Sequence, residues 1–308
     1  MAYYNGSANS LIALRSALLD ACTLEGWAWN GDKEVLSKGA LFLQVTVGAD
    51  GIFVLGRTSL EAGNAPSAVR VGRVFSRSGY PTYDVTYPAS YELFVFEQEV
   101  FFVINYDVEY YQWLCFGAGT VDGLPGTGMW LGASLAATVV GAVGSRKANP
   151  IYMPPTGGGD IGNNSGVAPA LCWAQSSAYD TAQNWWVHSD LDGHGWYRSP
   201  NGTDTDDIGI GPTETLLSVL PSQWNDESVL VPIRAYKERP EYYISLVADI
   251  ANARHIRIDN YEPGQVLIVG DESWKVFPWF RKNAAARDGG YAIDHSGTYG
   301  WAIRYEGA

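Results

Sequence analysis

The chain has 308 residues, 46% hydrophobic and only 17% charged, with 12 Trp, 19 Tyr and 10 Phe and a formal charge of −13 at pH 7. That acidity excludes a protein that wraps nucleic acid, because phosphate binding needs clustered Lys and Arg. Cys22, Cys115 and Cys172 form an odd set without a CxxC spacing, which excludes a disulfide framework and a Cys-rich zinc site. So low a charge with so heavy an aromatic load implies surface to be covered. It points to a subunit of an assembly, with a large β core as the alternative.

In chain order, the start Met1-Ala2-Tyr3-Tyr4 lacks the basic and apolar regions of a signal peptide, so Sec export is not expected. Leu11, Leu14, Leu18 and Cys22 recur at helical spacing and predict a helix over 7–22, capped by Ser7 or Asn9 and ended by Gly26. Residues 41–47 and 52–56 flank Ala49-Asp50-Gly51 and predict a hairpin. Residues 69–74 read as a short strand. The proline-punctuated segment 80–88 reads as an extended edge whose Tyr80, Tyr83 and Tyr87 face a partner.

Residues 91–96, 100–106 and 110–116 are aromatic and β-branched runs separated by short polar turns, which predicts an antiparallel meander. These runs scarcely alternate. Phe101 to Ile104 offers apolar side chains to both faces, so the sheet needs cover on both sides, from another layer of the chain or from a neighbouring molecule. Residues 123–145 carry no charge, and with Gly and Pro at their start they fall short of the roughly 20 apolar residues of a membrane span. Burial between chains or under a second layer is the expectation, and membrane insertion is not.

Residues 149–225 are dense in turn residues, with short strands at 170–174 and 185–188. Strands follow at 229–236, 243–247 and 255–259, then a hairpin of 265–269 with 273–277, and a last strand with Tyr299, Trp301, Ile303 and Tyr305 on one face. The expected fold is mainly β, with antiparallel sheets in a sandwich- or barrel-like arrangement and a short N-terminal α-helix. Its parts are a helix-plus-β domain at 1–148, a loop-rich insertion at 149–228 and a C-terminal β segment at 229–308 that can pack with the first.

His188, Asp190, Asp192 and His194 are the one metal-like local cluster, though their spacing matches no helical zinc signature and the calcium-loop pattern is incomplete. A polar turn is the simpler reading. There is no nucleophile elbow and no phosphate loop, and a glycosidase would need two carboxylates that the sequence does not single out. Trp185, Trp186 and Trp196 could stack on sugar rings or serve as core anchors. No cofactor and no catalytic role are expected.

The blocks Phe102-Val103-Ile104-Asn105-Tyr106, Tyr111-Gln112-Trp113-Leu114-Cys115-Phe116-Gly117 and Gly123-Leu124-Pro125-Gly126-Thr127-Gly128-Met129-Trp130 resemble structural proteins of tailed bacteriophages. The blocks Ile258-Asp259-Asn260-Tyr261 and Trp274-Lys275-Val276-Phe277-Pro278-Trp279-Phe280 resemble the same family. The resemblance covers the first and last thirds of the chain. It implies a virion component of tail, baseplate or neck, assembled in the host cytoplasm, whose partners are copies of itself and other virion proteins. It supplies no catalytic residues. On this reading Tyr80, Tyr83, Tyr87, Trp130, Trp274, Phe277, Trp279 and Phe280 are interface residues. The alternatives are a module that binds a receptor or host-surface glycan, and a glycosidase or metal-dependent hydrolase.

Overall fold

Every strand pairing among the described residues is antiparallel. The computed structural model describes residues 1–73, 84–119, 121–136, 185–193, 195–198, 208–209, 230–239, 241, 243–258, 260–279, 282 and 299–307. The chain opens with β1 (Ala2–Ala8) and α1 (Leu11–Leu24), followed by β2 (Ala28–Asn30), β3 (Val35–Lys38), β4 (Leu41–Val47), β5 (Gly51–Arg57) and β6 (Val69–Gly72). The meander is β7 (Ala89–Val95), β8 (Glu99–Asp107) and β9 (Tyr110–Ala118); β10 (Met129–Ala133) and β11 (Leu135–Ala136) follow it. Next come β12 (Trp185–Ser189), β13 (Gly195–Arg198) and β14 (Ile208–Gly209). The last strands are β15 (Val231–Glu238), β16 (Ile244–Arg257), β17 (Val266–Val269), β18 (Glu272–Pro278) and β19 (Tyr299–Arg304).

These strands form a seven-stranded sheet in the order β1-β7-β8-β9-β10-β12-β13 and two six-stranded sheets, β11-β6-β5-β4-β3-β2 and β14-β15-β16-β19-β18-β17. The seven-stranded sheet is the middle layer. Leu93, Val95, Phe102, Ile104, Leu114 and Phe116 project from it into a core shared with the β2–β6 sheet and α1. Their strand neighbours Phe94, Phe101, Val103, Trp113 and Cys115 project the other way, into a core shared with the β15–β19 sheet. The double-sided apolar runs are therefore covered on both faces by this chain itself, and residues 129–133 are buried as a strand of the middle layer.

The helix begins later than its apolar spacing suggests. Residues 2–8 pair along their whole length with β7, from Ala2 opposite Val95 to Ala8 opposite Ala89, so Ser7 is a strand residue. Ser10 is the cap, its extended backbone aiming Oγ to accept from Ala13 N at 3.1 Å. Gly26, with φ of +82°, turns the chain out of the helix as expected. Among the described residues no helix is long and apolar enough to cross a membrane.

A polar side chain inside the layers helps to pin each outer sheet to the middle one. Gln112 on β9 accepts from Gly72 N at 2.6 Å and donates to Gly72 O at 2.7 Å, acting as one more ladder rung for the end of β6. Glu99 on β8 reaches the opposite way. In β16 the register with β15 jumps from Arg254 to Ile250, a bulge that frees backbone N–H groups. The Glu99 carboxylate accepts there from Ala251 N (2.8 Å), Asn252 N (2.9 Å) and Asn252 Nδ2 (2.8 Å).

The layering corrects the interface expectation. Trp130 is 0% exposed, Trp279 1%, and Trp274 and Phe277 2%, so none of these four is available to a neighbouring molecule. Trp130, Phe277 and Trp279 fill the core under the β15–β19 sheet, and Trp274 lies in a smaller cluster on the other face of that sheet with Ile256, Val276 and Ala302. Trp185 and Trp186 cannot stack on sugars either: as strand neighbours they point to opposite faces of the middle layer, and both faces are covered. Tyr87 is exposed, whereas Tyr80, Tyr83 and Phe280 lie outside the described residues.

Candidate functional site

The middle sheet grades from apolar to polar along one face. Directly paired residues of an antiparallel sheet share a face. One row across β1, β7, β8 and β9 is Tyr3, Phe94, Phe101 and Cys115; the next is Asn5, Glu92, Val103 and Trp113; the third is Ser7, Ser90, Asn105 and Tyr111. The first row belongs to the aromatic core, and the third is wholly polar. A cavity of about 420 Å³ opens over the polar end, walled on its far side by Lys275 and Phe277 of β18 and by Pro263 and Gly264. That volume lies in the range of roughly 300–1,000 Å³ typical of small-ligand pockets.

An ion pair closes the inner end of the cleft. Lys275 Nζ bridges to Glu92 Oε2 and donates to Tyr3 Oη at 2.8 Å, while Tyr3 Oη donates to the same carboxylate oxygen at 2.7 Å. Asn5 Nδ2 donates to Tyr3 Oη at 3.1 Å, so this hydroxyl has no capacity to spare. The ammonium also sits 4.8 Å from the Tyr3 ring centre and 5.4 Å from that of Tyr305. Burial works against the charged lysine, but the bonds to Glu92 and Tyr3 outweigh it and hold its pKa above the ordinary value. Burial, with the Glu92 and Glu262 carboxylates adding to it, pushes the Tyr111 hydroxyl up to about 12.

Within this lining Glu92 is the single carboxylate, and it is neutralised by Lys275. A pair of acids spanning a glycosidic bond is not built here. Neutral hydrogen-bonding groups on a rigid sheet suit the cleft to binding. Gly264 turns the chain beside this group with φ of +82°, and a methyl group built on it would lie in ordinary contact with Glu92 Oε1 and Lys275 Cε, each at 3.7 Å.

The residues singled out in the sequence are elsewhere. His188 on β12 turns Nδ1 to Thr127, accepting from its backbone N at 3.1 Å with Oγ1 at 2.9 Å, and its ring packs on Trp196 at 4.8 Å. Its Nε2 lies 3.9 Å from Asp190 Oδ1, and burial lowers its pKa, which favours the neutral ring. His194 and the Asp192 side chain lie outside the described residues, and among the described residues no three His, Cys, Asp or Glu side chains gather as metal ligands. Trp196 is half-buried and donates Nε1 to Gly63 O at 3.2 Å.

The cleft was missed because its parts are remote: Tyr3 and Lys275 are 272 positions apart. A usable signal was Ser90, Glu92 and Asn105 interrupting otherwise apolar strands on one face. No protein-family model matches the chain, and no curated protein matches it.

Proposed function

We propose that this chain is a structural subunit that associates with copies of itself and with neighbouring proteins through an open sheet edge. The observation that supports it most is β17. Among the described residues Val266-Leu267-Ile268-Val269 pairs on one side only, with β18, and stands at the end of its sheet. Val266 is 41%, Ile268 77% and Val269 52% exposed. Natural edges are blunted by Lys, Pro or bulges, and β17 has none of these: its register with β18 is unbroken. An apolar edge with unpaired backbone groups is a template for an added strand. The virion setting, in tail, baseplate or neck, is carried by the resemblance of the strand blocks. Trp185 and Trp186 no longer favour a glycan-binding module, and the polar cleft takes their place. For a catalytic role the described lining offers one carboxylate, and that one is salt-bridged to Lys275.

Sedimentation velocity on the purified protein tests this. The wild type is expected to form multimers, and Ile268→Lys to dissociate them while leaving the folded chain intact by circular dichroism. A wild-type chain that is still monomeric at about 100 µM, far above a micromolar Kd, would overturn the reading.

A further inference from the structure

We propose that the cleft between β1, β7–β9 and β18 is a binding site for a neutral saccharide, of the size of a mono- or disaccharide. This rests on the cleft alone and stands or falls separately from edge assembly. The argument begins with which lining atoms are still free. Glu92 uses Oε2 for both Tyr3 and Lys275, which leaves Oε1 without a hydrogen bond among the described residues. Asn5 uses Nδ2 for Tyr3, which leaves Oδ1. Asn105 spends Nδ2 on Asp107 O and Tyr110 O, at 2.7 and 3.0 Å, so its Oδ1 meets only the Ser90 hydroxyl at a marginal 3.5 Å. The half-buried Tyr111 hydroxyl takes part in no hydrogen bond among the described residues.

This surplus has a definite character. Three of the free groups are acceptors, while Ser90 and Tyr111 can both donate and accept. A ligand must therefore bring several donors close together and tolerate donors in return, which vicinal hydroxyls do. The charge balance removes ionic ligands. Lys275 is committed to Glu92 and Tyr3, so no cation is spare for a phosphate or carboxylate, and the nearby Glu262 raises the Tyr111 pKa by its negative charge and would repel an anion. An ammonium concentrates its donors on one nitrogen, whereas the free acceptors of Asn5, Glu92 and Asn105 stand on three neighbouring strands and the Glu92 charge is offset by Lys275. The ring of Tyr111 adds apolar surface to the lining, the other feature that sugar rings use. Because these groups stand on hydrogen-bonded strands, little ordering cost is added on binding.

The test uses the full chain and saturation-transfer difference NMR followed by calorimetric titration. The probes are glucose, galactose, N-acetylglucosamine, maltose and cellobiose, with N-acetylneuraminic acid as the anionic probe, glucosamine as the cationic probe and triglycine as a peptide probe. At least one neutral sugar should bind at millimolar concentration or better, and more tightly than any charged probe or the peptide. Tyr111→Phe, which removes one hydroxyl and keeps the ring, should weaken that sugar about three- to tenfold, and Asn5→Ala by a similar factor, with thermal unfolding unchanged. The proposal is overturned if no neutral sugar gives a transfer signal, if a charged probe or triglycine binds best, or if both variants bind the sugar as the wild type does.

Discussion

The two faces of the middle sheet are covered by different chemistry. Toward the β2–β6 sheet and α1 the core is mainly aliphatic, with Leu14, Leu18, Leu43, Val54, Leu93 and Leu131 among its members beside a few rings such as Phe102 and Phe116. Toward the β15–β19 sheet it is aromatic, with Phe94, Phe101, Trp113, Trp130, Trp185, Trp279 and Trp301. The difference follows from what each junction joins. The aliphatic side is built from hairpins close in sequence, whereas the aromatic side fastens β7–β9 to strands more than a hundred residues on. Each ring there buries a large area and fixes orientation by edge contacts, as in Trp113 against Trp301 at 5.1 Å and 71°.

Removing a ring from the aromatic junction is the most direct way to break this comparison. Trp301 is 2% exposed and touches Trp113, Trp279 and His255. Trp301→Ala should cost about 3–5 kcal/mol in urea unfolding, the loss of its transfer energy plus a cavity. If the junctions are separable, the curve becomes biphasic, with the β15–β19 sheet lost first. A single transition shifted as a whole would show that the layers fold as one unit.

The polar pins sharpen the contrast. Glu99→Ala leaves Ala251 N, Asn252 N and Asn252 Nδ2 without their acceptor in a buried bulge, and should cost about 2–4 kcal/mol. Gln112→Ala removes one donor and one acceptor from Gly72 at the end of a strand, and should cost about 1–2 kcal/mol. Amide exchange locates the damage: residues 251 and 252 should lose protection in the first variant and residue 72 in the second. Equal losses would mean that charge and bulge add nothing to the aromatic side.

These junctions also mark how far the sequence could be read. The β4–β5 hairpin and the β7–β9 meander were legible because their pairing is local, and the demand for cover on both faces was legible in Phe101 to Ile104. Which layers supply the cover depends on pairings such as Ala2 with Val95, and residue type does not encode them. Trp130, Trp274, Phe277 and Trp279 were assigned to subunit contacts because an interface between layers of one chain has the same composition as an interface between chains. Gln112, inside an apolar run, and Glu99, at the end of the polar turn 97–99, are buried polar residues whose burial carried structural information.

The smallest expected effect distinguishes the two junctions by pH. His255 is fully buried among Trp279 and Trp301, at 5.2 and 5.5 Å between ring centres, and desolvation lowers its pKa from 6.5 to about 3. A histidine with a depressed folded-state pKa stays neutral in the native chain while the unfolded chain takes up a proton below about 6.5. Acidification therefore favours unfolding. The aromatic junction should lose about 1.4 kcal/mol for each pH unit from about 6.5 down toward about 3, a loss absent above neutrality. Measuring stability at pH 7.5 and 5.5 for the wild type and His255→Phe isolates this contribution, since every other titrating group, Glu99 included, is common to both proteins. The variant should be about 1.4 kcal/mol less sensitive to the change. Identical pH dependence would mean that the imidazole exchanges protons with solvent in the folded state, and that the aromatic junction is looser than its packing implies.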